Sequence, residues 1–172
     1  MNEIIIYNYS MPIICGMGHL VAAEAFYHAD RVADFHVMIY VKVGKIYVTE
    51  DGIDYEISPG ELFFLKKGMR HFGKLEIPKG TEWVYAHFFD DEKKESARWT
   101  TEEYFPDKSP LPKYEPSCCH VSLPKKLSGL NGSRLEGEII SHADYYHSDE
   151  GDKKWRINHK LFELLSNIAF YK

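Results

Sequence analysis

Long apolar runs are missing from this 172-residue chain. Stretches such as Ile4–Ile6 and Leu62–Leu65 fall far short of the roughly 20 residues that a membrane-spanning helix needs. A basic excess is missing too. Lys and Arg number 21 against 26 Asp and Glu, a net charge of −5, which argues against a nucleic-acid binder working through phosphate electrostatics. Cysteine is scarce: Cys15, Cys118 and Cys119 form an odd set with an adjacent pair that rarely bridges, so a disulfide framework is excluded. A reduced, cytoplasmic setting is the simplest reading. Met1-Asn2-Glu3 offers neither the basic n-region nor the apolar h-region of a signal peptide. With 44% hydrophobic and 27% charged residues, disorder is excluded and one globular domain with its own core is expected.

What is present reads as strand first and helix last. Val37–Val43 is dense in β-branched and aromatic residues and ends at Gly44; Ile46–Thr49 and Ile53–Ile57 flank Asp51-Gly52, a strong signal for a two-residue hairpin turn. Pro59-Gly60, Lys67-Gly68 and Pro78-Lys79-Gly80 then punctuate the candidate strands Leu62–Leu65, His71–Ile77 and Trp83–Phe89. Ile4–Tyr9 and Leu20–His28 are further strand candidates. Short strands at this spacing predict an all-β sandwich or barrel. A charged stretch at 90–95 opens a connection to Pro124 that holds Pro106, Pro110, Pro112 and Pro116, which disfavours regular helix.

From Leu127 onward the periodicity changes. Ser133 or Asn131 can cap a helix carrying Leu135, Ile139, Ala143 and Tyr146, and beyond Gly151 a second runs through Ile157, Leu161, Leu164, Leu165 and Ile168. That pattern is still running at Lys172, which leads us to expect a longer natural polypeptide. The predicted organisation is a β-barrel with its connecting segment over 1–124 and a helical region packed on it over 125–172.

The most specific segment is Gly60-Glu61-Leu62-Phe63-Phe64-Leu65-Lys66-Lys67-Gly68-Met69-Arg70-His71. It resembles the second motif of the cupin superfamily, with Gly60, Gly68 and His71 in place and Lys66 where that motif has proline. Anchoring the first cupin motif on Gly44 puts Arg31, Ala33 and Val37 where two histidines and a glutamate would ligate metal, so no metal or other cofactor is expected. A cupin-like jelly-roll barrel without its metal, followed by two helices, resembles the N-terminal effector-binding and dimerisation domain of AraC-family transcription regulators. The stretches that carry the likeness are Val37–Lys45, Glu50-Asp51-Gly52, Ser58–Leu62, Gly68–His71 and His87-Phe88. The resemblance implies a small-molecule effector, by analogy a sugar. It also implies a homodimer through the C-terminal helices, the first of which, around Ser133–Ser148, would pair with its copy, no catalytic residues, and DNA contact only through a helix-turn-helix domain that this chain does not contain. It matches Arg31, His71, Phe72, Tyr85 and His87 to pocket positions.

Strand alternation gives a second line to the same pocket. Trp83, Tyr85 and His87 share one face, with Val84, Ala86 and Phe88 on the other; Arg31, Ala33, Phe35, Val37 and Ile39 share a face if their strand is unbroken. A guanidinium, two imidazoles, a phenol and aromatic walls suit a small polar ligand. Each residue also has a plainer reading. His71 can be a satisfied core histidine, Arg31 a surface partner of Asp30 or Asp34, and Trp83 and Tyr85 simple core aromatics. His36 has the wrong parity for the pocket, and His19, His28, His120, His142, His147 and His159 show no ligand spacing and read as solvated or incidental. Two further functions stay open beside the regulator: a stand-alone carbohydrate- or metabolite-binding cupin, and a cupin enzyme, which would need the absent metal ligands.

Overall fold

The computed structural model describes residues 4–8, 11–90, 120–149 and 151–171. Most of the proline-rich connection and the pair Cys118-Cys119 lie outside the described residues.

Two of the strands explain the architecture. β5 (His36–Val43) and β11 (Glu82–Phe89) pair antiparallel at the middle of a five-stranded sheet. β8 (Glu61–Leu65) and β13 (Lys126–Leu127) continue the sheet on one side, and β2 (Ile13–Val21) closes it on the other. Both faces of this sheet are covered, which is why Val37–Val41 reads as a continuous apolar run rather than an alternating one. Val37, Ile39 and Val41 point into one core with Phe63, Leu65 and Ile77. Met38 and Tyr40 point into the other, with Val84, Ala86, Phe88 and the buried faces of two helices.

The opposing layer is a four-stranded sheet. It contains β4 (Arg31–Val32), β6 (Ile46–Glu50), β7 (Ile53–Ile57) and β9 (Arg70–Phe72), in the order β4-β9-β6-β7. Two short pairs complete the β part: β1 (Ile4–Tyr7) with β12 (His120–Leu123), and β3 (Phe26–Tyr27) with β10 (Glu76–Ile77). The result is a cupin-like jelly roll whose sheets face each other without closing into one continuous barrel. No helix among the described residues is long and apolar enough to cross a membrane.

The Asp51-Gly52 signal is realised directly. Both residues have positive φ, 50° and 77°, as the two central positions of a type I′ hairpin turn require. Three expectations differ. The upstream strand runs over Ile13–Val21 rather than Leu20–His28; of the latter range Leu20-Val21 ends β2 and Phe26–Tyr27 forms the separate β3. The His71–Ile77 strand is broken because the backbone of Gly73 passes against His28: Gly73 N donates to His28 O at 2.9 Å, and a Cβ on Gly73 would stand 2.5 Å from His28 N. The Arg31–Ile39 strand is interrupted between β4 and β5.

α1 (Arg134–His147) and α2 (Lys153–Ala169) pack on the outer face of the five-stranded sheet. Ser133 caps α1 by accepting from Glu136 N, and Glu136 reaches back to accept from Gly132 N, a close variant of the capping box. The other oxygen of Glu136 accepts a 2.6 Å hydrogen bond from the hydroxyl of Tyr40, which is fully buried in β5. Burial, reinforced by that carboxylate, raises the phenol's pKa well above its usual value and keeps it neutral. The helix cap is thus tied to the middle of the sheet. Tyr40→Phe should cost about 1.5–3 kcal/mol of unfolding free energy, the range for a hydrogen bond to a charged acceptor. Urea denaturation checks this, and a loss below about 0.3 kcal/mol would contradict the tie.

Two histidines set aside as incidental also fasten the helices. His147 Nε2 donates to Met17 O at 2.9 Å, and the ring nitrogens of His142 lie 2.6 and 3.0 Å from the carbonyl oxygens of Glu138 and Lys160. Asn158 Oδ1 accepts from Ile14 N. Met17 and Ile14 belong to β2, the edge strand, so these contacts occupy backbone groups that an open edge would offer to another chain.

Candidate functional site

Between the two sheets lies a cavity of about 310 Å³. β11 contributes Trp83, Tyr85 and His87, the three same-face residues of its alternation, and β5 contributes Val37 and Ile39. Leu20, Phe26, Ile46 and Ile77 extend the apolar wall; His28, Ala29 and Arg31 form its polar corner. β2 makes room for the rings. Gly18 and Gly16 stand directly opposite Tyr85 and His87 in register, and a Cβ on Gly18 would meet the Tyr85 ring at 3.2 Å. That is the role of the Gly16-Met17-Gly18 segment.

Arg31 is the cavity's permanent charge, and it is not a surface partner of its acidic neighbours. Asp30 is held by Arg70 instead, through hydrogen bonds of 2.9 and 2.6 Å. Arg31 Nε donates to His71 Nε2 at 3.0 Å. Because a guanidinium can only donate, Nε2 must be the acceptor, so His71 is neutral with its proton on Nδ1. His71 is completely buried; burial first, and then the charge of Arg31, push its pKa down. The same two causes take His87 to about 4. Burial also brings His28 to about 4 against an opposing hydrogen bond to Ala29, with the His71 and Arg31 charges adding to the depression. The polar corner is therefore one cation among three neutral imidazoles at physiological pH.

The rings are ordered by contact. Phe35 stacks on His87 with centroids 4.6 Å apart, Tyr85 lies 4.9 Å from His87, and His28 meets His71 edge-on at 5.3 Å. Phe35 also lies beneath the Arg31 guanidinium, 5.5 Å from its carbon. Trp83 faces Phe26 at 5.8 Å.

Of the six residues singled out from the sequence, Arg31, Trp83, Tyr85 and His87 line the cavity. His71 stands behind Arg31 and holds it. Phe72 is not among the lining residues; its ring lies 5.0 Å from the Arg70 guanidinium and 5.9 Å from the Lys74 ammonium. Parity explains this, since Phe72 follows His71 in β9 and so points the opposite way. His28, passed over for lack of spacing, is brought in by the close approach at Gly73. His36 is buried on the other side, with Nδ1 accepting from Lys67 N and Nε2 3.0 Å from Asp90 Oδ1.

The donor set is ill suited to a metal. The one cupin ligand position that keeps its histidine, His71, spends its Nε2 lone pair on a cation. Among the described residues no group of three or more His, Cys, Asp or Glu could hold a metal ion. The arrangement can instead hydrogen-bond and stack on a small organic molecule.

Comparison with known proteins places this geometry. The model of the AraC-like ligand binding domain matches residues 18–127. The uncharacterized HTH-type transcriptional regulator YisR of Bacillus subtilis (strain 168) is 30% identical over 77 residues, covering 45% of this chain and 27% of that protein. The matched stretch thus spans about a quarter of that relative's length. Among solved structures, EutQ of Clostridium difficile is 21% identical, covers 50% of this chain and 68% of its own, and has a TM-score of 0.34. Apo ToxT of Vibrio cholerae is 13% identical, covers 94% of this chain and 59% of its own, and has a TM-score of 0.42.

Proposed function

The chain belongs to the AraC-like ligand-binding domain family, and from that premise we propose that it is the small-molecule sensor of a cytoplasmic transcription regulator and not an enzyme. The observation that carries this reading is the cavity itself: a ring-lined space between the sheets with Arg31, Tyr85, His87 and His28 among its lining. A sugar is the effector by family analogy, with Trp83 available as a stacking platform and the phenol and imidazoles as hydrogen-bonding partners. Coupling has a physical route. β5 and β11 present one face to the cavity and the other to the helices, so a ligand that repacks Val37, Ile39 or Tyr85 also displaces the seat of α1 and α2.

The helical region 125–172 is proposed as the dimerisation and linker region, and DNA contact is assigned to a helix-turn-helix domain that is not in this chain. The outward face of α1 is polar, with Arg134, Ser141 and Asp144 exposed, and Ile140 and Tyr146 pack on the sheet-side core. The self-contact is therefore drawn through α2 and its end, where Trp155 is 74% and Phe170 70% exposed. Light scattering at twice the monomer mass, falling to the monomer mass in Trp155→Ser, supports that contact; a monomer at every concentration contradicts it.

A thermal-shift screen of sugars and small acids tests the sensor reading. A ligand specific to the folded state raises Tm because it adds unfolding free energy that grows with concentration over the dissociation constant, about 2.7 kcal/mol at a hundredfold excess. Arg31→Ala and His87→Ala should each abolish that shift. A shift unchanged in both variants would remove the cavity from the binding reaction.

A further inference from the structure

The geometry points to an anionic effector: a small monocarboxylate whose acid group docks on Arg31 and whose apolar or ring body fills the space between the sheets. This rests on the sensor reading and sets an anion in place of the neutral sugar that the family analogy gives.

Arg31 lies in the cavity wall, half-buried, with no carboxylate of the described residues in ion-pair contact. Two acidic residues beside the Arg31–His71 pair are committed elsewhere. Asp30, next in sequence, is gripped by Arg70 through both carboxylate oxygens. Glu50, opposite His71 in the β6–β9 register, is fully buried and engaged by Lys125 and by Lys66 N. A half-buried guanidinium without a counter-charge is partly stripped of water, which favours an anion over a neutral group at this end of the cavity.

The hydrogen-bond arithmetic agrees. Arg31 has five N–H donors, and the Nε donor is taken by His71. That bond fixes the guanidinium plane and leaves the two amino groups for the ligand, the pair of donors that a carboxylate accepts in bidentate fashion. The neutral imidazoles of His28 and His87 can hydrogen-bond a ligand but bring no negative charge. A neutral sugar would satisfy donors and acceptors while leaving the Arg31 charge uncompensated; a carboxylate does both. Away from this corner the walls are Val37, Ile39, Ile46, Ile77 and Trp83, which suit a hydrocarbon or ring body.

Matched pairs of probes isolate the charge. Octanoate, phenylacetate and glucuronate are titrated calorimetrically into the wild-type chain beside their primary amides at neutral pH. At least one acid is expected to bind at least about tenfold tighter than its amide, the margin of a charge-assisted pair over a neutral one. Arg31→Gln should bring the acid to the amide's affinity, and Arg31→Lys should keep part of the difference, with far-UV circular dichroism reporting that both variants fold. Equal affinity for acid and amide, or acid binding unaltered in Arg31→Gln, overturns the inference. If arabinose or glucose binds while none of the acids does, the anionic class falls and the sensor reading stands. If neither sugars nor acids bind, both fall.

Discussion

Between pH 6.5 and 4.5 the protein should lose roughly 3–5 kcal/mol of stability, most of it above pH 5, where few carboxylates have taken up a proton. The sign follows from the cavity histidines. In the unfolded chain His28 and His87 take up protons near the ordinary value of 6.5, whereas in the folded protein both resist until about 4. Within that window the unfolded state binds more protons, so stability rises with pH. It is complete above 6.5 and is lost as pH falls through the folded-state values. His71, shifted in the same direction, adds to the loss because its protonation removes the acceptor for Arg31 and sets two cations side by side. Urea denaturation at closely spaced pH values reads the effect as a slope approaching two protons or more per molecule. His87→Asn should flatten that slope by about one proton. A stability that stays level from pH 6.5 to 4.5 would contradict the neutral-imidazole corner.

Lys125→Met should cost about 3–5 kcal/mol, because it leaves a buried carboxylate without its counter-charge. Glu50 has no measurable exposure and is paired with Lys125, which lies over the rings of Phe63 and Tyr55 at 4.6 and 5.4 Å. The 2.7 Å bond from Lys66 N is then the remaining polar partner of Glu50. Glu50→Gln should cost less, since Lys125 is 23% exposed and can reach water. The pair Glu50→Gln with Lys125→Met should recover most of the loss, and chemical denaturation of the four proteins gives the coupling as a double-mutant cycle. A Lys125→Met protein as stable as wild type would contradict the coupling of the two side chains. The pair also has a place in the architecture: Lys125 O accepts from Phe64 N immediately before β13, so the ion pair fastens the polypeptide entering the helical region to the four-stranded sheet.

Local rules reach far into this fold. The type I′ turn at Asp51-Gly52, the two-faced apolar character of β5, the Ser133 cap and the common face of Trp83, Tyr85 and His87 all follow from neighbours within a few residues, and the structure has each of them. The features that were not legible depend on distant segments meeting. His28 reaches the cavity through the glycine backbone at 73, and Glu50 meets Lys125 across 75 residues, a pairing that no spacing rule encodes. Phe72 differs for another reason: the family resemblance matches it to the pocket, whereas the alternation of β9 sets it on the face opposite His71, and it is not among the cavity's lining residues. The interruption between β4 and β5 left Arg31 on the cavity wall all the same, because its own pairing partner in β9 is His71.

The sensor account is tested most directly by a crystal structure of the chain with whichever screened compound stabilises it. The account predicts the compound between the two sheets, with its body against Trp83 and Ile39 and its polar group within hydrogen-bonding distance of Arg31 and His87. Density for the compound elsewhere, for instance in the groove that Arg134, Glu138 and Phe170 form at the helices, with the inter-sheet cavity unchanged, would contradict it.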